Sequence, residues 1–186
     1  MAGNTNKKIT SPLTAEQILG LQAGDMVSLS GVIYTGRDAA HKRLTQALAA
    51  KEKLPIELAG QVLYYVGPCP ARPGQVIGSC GPTTSSRVDI YTPSLLDLGL
   101  KGMIGKGPRS APVIAKMKEQ GAVYFSAIGG AGAHIAKTVK KAELVAYADL
   151  GPEAIYRLEV EDFPCIVAID SQGNDLYQSG IAQFKI

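Results

Sequence analysis

The spacing of apolar and polar residues changes several times along this chain, and each change marks an element. Residues 26–34 alternate from Met26 to Tyr34 in the period-two pattern of a half-buried strand. From Ala39 to about Glu52, Ala40, Leu44, Ala47 and Leu48 form one apolar stripe at helical spacing, with Asp38 placed to cap the start. Short apolar runs at 62–66, 102–104 and 123–125 predict buried strands. Between them, Val88, Ile90, Leu95 and Leu96 predict a buried helix after the Gly81-Pro82 turn. A second helix runs from a Ser110 cap to Gln120 and is closed by Gly121. Residues 13–17 predict a short helical start, with Thr14 as cap and Gln17 in the capping-box position. A further helical turn is expected over 135–139. The C-terminal third predicts strands at 144–147, 155–160, 165–169 and 175–177, the last two joined by a hairpin-like turn at Ser171-Gln172-Gly173-Asn174.

Helices set among short strands, with strand-rich ends, predict a mixed α/β domain carrying a second β layer. No G-x-G-x-x-G follows a strand and no G-x-x-x-x-G-K-[ST] occurs, which argues against dinucleotide and P-loop folds. The length of 186 residues fits one domain, divided as a disordered or extended lead-in over 1–12 and a single domain over 13–186. A net charge of +3 with no long basic block argues against nucleic acid and suits a small anionic ligand. No apolar run is long enough for a transmembrane helix, and the polar N-terminus has no signal-peptide core. Cys69, Cys80 and Cys165 are widely spaced, without a C-x-x-C pair. That predicts reduced thiols in a cytoplasmic setting and no metal site, and His134 has no ligand-spaced partner.

The candidate chemistry is anion binding. Gly81-Pro82-Thr83-Thr84-Ser85-Ser86-Arg87 breaks one element and supplies four hydroxyls where a helix is expected to start, a place that favours negative charge. Arg87 stands four residues after Thr83, about one helical turn on, so both side chains can face one site. Two further segments place a cation directly after a glycine: Tyr34-Thr35-Gly36-Arg37-Asp38-Ala39-Ala40-His41 and Met103-Ile104-Gly105-Lys106-Gly107-Pro108. Arg37 is expected in a strand-end loop and Lys106 in a glycine-flanked loop that a ligand can approach closely. His41, Thr84, Gly129 and Gly130 are candidate pocket-lining residues, with a structural hydrogen bond favoured for His41 and tight packing for the glycines. Arg109 is expected at the surface.

Together with Gly67-Pro68-Cys69-Pro70, Ser126-Ala127-Ile128-Gly129-Gly130-Ala131 and Asp162-Phe163-Pro164, these segments resemble the class I, iron–sulfur-dependent fumarases and the related L-tartrate dehydratases. The similarity is to the C-terminal domain of the fused chains, or the separate β subunit of two-subunit forms, and extends over about residues 13–178. The resemblance implies the swivelling three-layer β/β/α fold with a mixed sheet. It also implies reversible hydration of fumarate to L-malate, with Arg37, Arg87 and Lys106 holding substrate carboxylates and Thr83 acting at the reacting carbon as the proton-transfer group. A hydroxyl is a very weak base near neutral pH, so Thr83 needs an activating group that the sequence does not identify. The resemblance further implies an α subunit carrying a [4Fe–4S] cluster, in an α2β2 hetero-oligomer. Alternatives are the β subunit of L(+)-tartrate dehydratase and a non-catalytic anion-binding domain of the same fold. A stand-alone phosphate-ester enzyme is weakened because no acidic Mg2+-binding cluster accompanies the motif.

Overall fold

A computed structural model describes residues 6–185. Seven strands form one mixed sheet: β1 (Lys7–Ser11), β2 (Met26–Thr35), β3 (Val62–Tyr64), β4 (Gly102–Gly105), β5 (Val123–Ser126), β6 (Val139–Ala146) and β7 (Ile155–Ile169). Strands β1 to β5 lie side by side and parallel, while β7 is antiparallel to β2, β5 and β6. Because β7 pairs with both β2 and β5, the strands β2-β3-β4-β5-β7 close into a five-stranded, barrel-like ring. The mixed α/β class is therefore observed, as one mixed sheet closed on itself and flanked by helices. Strands β1 and β6 extend it at either side.

Alternation along the parallel strands divides the core. Tyr64, Ile104 and Phe125 pack with Leu29, Leu158 and Phe163 in one cluster. Their strand neighbours Leu63, Tyr65, Met103 and Tyr124 pack in the other, under three helices: α2 (Asp38–Ala49), α3 (Thr92–Asp97) and α4 (Ala111–Gln120). Leu44, Leu95, Leu96, Val113 and Met117 are the helical side of that contact. Two shorter helices, α1 (Ala15–Leu19) and α5 (Gly132–Ala136), and a C-terminal α6 (Leu176–Phe184) complete the chain.

The capping box at α1 forms as its spacing predicts, with both the Thr14 and Gln17 side chains engaged. Several expectations are corrected. The first five residues of the lead-in lie outside the described residues, but Lys7–Ser11 is a hydrogen-bonded strand of the domain, not disordered chain. Asp38 occupies the first turn of α2 and does not cap it; the carboxylate of Glu153 accepts the Ala39 N–H instead, at 3.1 Å. Ser110 precedes α4 without a capping bond of its own, and its N–H donates to Asp89 Oδ2 at 2.7 Å. The two strands predicted at 155–160 and 165–169 are one strand of 15 residues, with Asp162 at φ 51° in the middle. Residues 175–177 close one bridge to Ile169 and then open helix α6.

Candidate functional site

The four parallel strands β2 to β5 end at one edge of the sheet, and the candidate residues lie in the loops that leave it. Arg37 follows β2, Tyr65 to Gly67 follow β3, Lys106 follows β4, and Gly129-Gly130 follow β5. The carboxyl edge of parallel strands is where open α/β sheets place ligands.

The hydroxyl-rich segment does not open a long capped helix. Thr84 forms a parallel bridge with Lys106, and Lys106 N–H donates to Thr83 O at 3.2 Å while Ser85 N–H donates to Lys106 O at 2.9 Å. Only a single 3-10 turn, Ser85–Val88, follows, with no side-chain cap; Ile90 beyond it is 80% exposed, not buried. A short extended segment thus carries Thr83 alongside the end of β4 and sets it against Lys106. Both main-chain and side-chain donors of Thr83 point at the Tyr65 carbonyl, each at 2.8 Å. That commits the hydroxyl proton, so the Thr83 oxygen offers its surroundings acceptor lone pairs.

Close approach of Ser85 to β4 requires Gly105. A Cβ at that position would overlap the Ser85 hydroxyl and lie 2.9 Å from the Tyr65 ring. The buried Ser85 Oγ in turn lies 2.8 Å from Tyr124 Oη. Lys106 is exposed, and its side chain runs over Gly129, where an added Cβ would lie 3.8 Å from Cδ and 4.0 Å from Nζ. Thr83, Thr84, Lys106 and Gly129 are therefore brought together.

Arg37 lies past the β2 end of the same edge. Its side chain crosses Gly67, where an added Cβ would meet Nη1 at 2.8 Å and Cδ at 3.0 Å. One guanidinium nitrogen lies 3.5 Å from Glu153, and Nε is buried without a protein partner. His41 sits beneath it, buried and edge-on to Tyr65, with ring centroids 5.3 Å apart. Its Nδ1 lies 2.9 Å from the Arg37 carbonyl, which fixes Nδ1 as the donor and leaves the buried Nε2 unpaired. Burial lowers its pKa from 6.5 to about 4, and the Arg37 carbonyl opposes the shift only partly. His41 therefore makes the structural hydrogen bond favoured for it, to the Arg37 carbonyl, and is itself buried. Arg87, on the 3-10 turn, is exposed and forms no ion pair among the described residues, so it is not drawn into these contacts. Gly130, at φ 81°, lies exposed at the rim.

Arg109 overturns its expected surface placement. It is buried, paired with Asp89 at 2.7 Å and Thr92 at 2.9 Å, and stacked between the rings of Tyr65 and Tyr124. Its role is to hold those two rings under the site. Sequence reasoning also overlooked Tyr177 of α6, whose hydroxyl accepts the Gly107 N–H at 3.0 Å. The cleft lined by Cys69, Arg72, Gln75, Lys137 and Val139 contains none of the candidate residues.

The thiols do not gather into a metal centre. Cys69 is exposed, whereas Cys80 and Cys165 are buried; burial, with a smaller contribution from nearby Cys69, pushes the Cys80 thiol up to about 11, and burial raises Cys165 further. Cluster ligation needs converging thiolates, and among the described residues no group of three His, Cys, Asp or Glu side chains is placed to hold a metal. An iron–sulfur cluster does not fit the residues of this chain.

The sequence matches the family described as "Fumarase C-terminus" over residues 3–180. It is 38% identical over 172 residues to a protein of Methanocaldococcus jannaschii provisionally named L(+)-tartrate dehydratase subunit beta, a match covering 89% of this chain and 88% of that protein. It is 39% identical over 165 residues to the aerobic class I fumarate hydratase of Salmonella typhimurium, covering 88% of this chain and 28% of the enzyme. A protein of Geobacillus stearothermophilus, provisionally named a class I fumarate hydratase, is 38% identical over 175 residues, 33% of its length. The chain thus spans about a third of the fumarate hydratases it matches.

Proposed function

The chain belongs to the fumarase C-terminus family, and from that premise we propose that it is the β subunit of a hydro-lyase that interconverts fumarate and L-malate. The observation that carries this reading is the pairing of Thr83 with Lys106 past the carboxyl ends of β3 and β4, while Arg37, past the end of β2, crosses Gly67 on the same edge of the sheet. A dicarboxylate brings two charges, and separated cations fix both its position and its orientation. Lys106 and Arg37 hold the carboxylates, and Arg87 closes over the diacid from the 3-10 turn. The cations also stabilise the charge that develops when a proton is lost beside a carboxylate. Thr83 faces the reacting carbon, its oxygen presenting lone pairs while its own proton rests on the Tyr65 carbonyl; for it to relay the substrate proton, a base supplied by the partner chain must take that proton on.

The [4Fe–4S] cluster expected for this activity is assigned to a partner α subunit in an α2β2 assembly. The relative from M. jannaschii, named as a β subunit and matched over most of its length, supports that arrangement. Free thiols are in keeping with a cytoplasmic setting. The same relative favours a second reading, the β subunit of L(+)-tartrate dehydratase. The two diacids differ by one hydroxyl, which cations do not discriminate.

Co-expression with the α chain under anaerobic conditions, followed by parallel assays on malate, fumarate and tartrate, tests both readings. In the assembled enzyme Arg37→Ala, Arg87→Ala and Lys106→Ala should each lower kcat/KM about 30-fold, roughly 2 kcal/mol of transition-state stabilisation. A stoichiometric cluster with turnover in the reconstituted lone chain would overturn the two-subunit assignment. Wild-type kcat/KM for any variant removes that residue from the site.

A further inference from the structure

Every backbone polar group of the Lys106-Gly107 turn has a partner. Lys106 N–H and C=O pair with Thr83 and Ser85, Gly107 N–H donates to Tyr177 Oη at 3.0 Å, and Gly107 C=O accepts from Tyr124 Oη at 2.8 Å. Gly107 adopts φ 82°, and an added Cβ there would meet nothing within 4 Å. No side chain is available at Gly107 to pack the turn, and its hydrogen bonds hold it. Three of the four partners come from the sheet or the Thr83 segment, and the fourth comes from helix α6.

We propose that Tyr177 is a positioning residue for Lys106, locking the turn so that the lysine stem lies over Gly129 with its ammonium presented to a substrate carboxylate. The inference rests on the reading of Lys106 given above. Tyr177 is itself fixed at two points. Its N–H donates to the Asp175 carboxylate at 2.8 Å, and its hydroxyl lies 3.1 Å from Ser126 Oγ at the end of β5. Oη accepts from Gly107, and between Oη and Ser126 Oγ either hydroxyl can donate. One phenol thereby ties the ends of β4 and β5 together across the site. A flexible four-carbon side chain contributes to binding only when its backbone anchor is held. Loss of the phenol should weaken the grip on substrate more than it slows chemistry.

The test is Tyr177→Phe in the assembled enzyme, alone and combined with Lys106→Ala. Phenylalanine keeps the ring, and Ser126→Ala serves as a second variant that loosens Tyr177 without touching α6. Tyr177→Phe should raise KM about fivefold, the worth of one backbone hydrogen bond, with kcat within about twofold of wild type. Hydrogen exchange at the Gly107 amide should quicken about tenfold. In the Lys106→Ala background the same substitution should leave KM unchanged. An equal rise in KM in both backgrounds, or unaltered exchange at Gly107, overturns the proposal. If Lys106→Ala alone leaves KM untouched, the reading of Lys106 fails and takes this inference with it, even where exchange at Gly107 quickens.

Discussion

His41 makes the stability of this domain depend on pH in a calculable way. The ring is fully buried and neutral, with a pKa lowered from 6.5 to about 4 because burial penalises the charged form. In the unfolded chain it protonates as pH falls below its ordinary value, so the unfolded state binds more protons across that interval. Stability is therefore whole above about pH 6.5 and falls as pH drops toward about 4, below which both states are charged and the loss stops growing. A difference of about 2.5 pH units corresponds to roughly 3 kcal/mol at most, of which about 2 kcal/mol is already lost at pH 5. Urea melts at pH 7, 6 and 5 would show this as a midpoint lowered by about 1 M, taking a slope near 2 kcal/mol per molar. Carboxylates such as Asp170, whose pKa its hydrogen bonds lower against the cost of burial, add their own loss at the acid end. The informative quantity is consequently the difference between wild type and His41→Gln, whose amide can still donate to the Arg37 carbonyl but does not titrate. The variant should lose about 2 kcal/mol less between pH 7 and pH 5. Parallel curves, or a His41 ring that titrates near 6.5 by proton NMR, would refute the reasoning.

Gly105→Ala should cost about 1–3 kcal/mol of stability through overpacking, because the new methyl overlaps the Ser85 hydroxyl; thermal melts read it, and adding Ser85→Gly should recover most of the loss. Thr83→Val in the assembled enzyme should cut kcat about a hundredfold or more while a non-reacting diacid inhibitor still binds. A loss of about tenfold or less, or parallel losses of binding and turnover, returns Thr83 to a structural role in the bridge to Lys106.

The elements that periodicity revealed are those whose two faces meet different surroundings. Helix α2 shows its stripe because Ala40 and Leu44 are buried while Lys42 and Gln46 are exposed, and β2 alternates because Val27, Leu29 and Ile33 face one core cluster while Tyr34 packs against the other. Strand β1 carries only one large apolar side chain, Ile9, and most of β6 is exposed or half-buried, so neither produces a strong pattern over its whole length. Helix α6 buries none of its residues, and its start reads as a strand in the sequence because Asp175, Leu176 and Tyr177 follow a turn that does close a bridge to Ile169. Closure of the sheet was illegible for a different reason. It depends on β7 pairing with β5 and also with β2, more than a hundred residues earlier in the chain, which local spacing does not encode.

The site shows the same division between local and distant causes. Cations after glycines at strand ends could be found by inspection, since loop placement follows from where apolar runs stop. The environment of each could not. Arg109 is buried because Asp89, twenty residues away, and two rings from separate strands enclose it. Four hydroxyls in a row suit a helix start, yet the backbone from Thr83 to Ser85 pairs with Lys106 instead. What the sequence did carry of this long-range order lies in its glycines. Gly67 admits the Arg37 side chain, Gly105 admits Ser85, and at Gly132 an added Cβ would come within 2.7 Å of the Gly81 nitrogen. Each marks a place where a second segment presses on the backbone and any side chain would displace it. Gly67 and Gly105 lie in the short motifs that made the family recognisable, and Gly132 stands directly beside a third. Those motifs are thus the imprint of distant contacts on local sequence, which is why they single out segments that the fold brings together where periodicity does not.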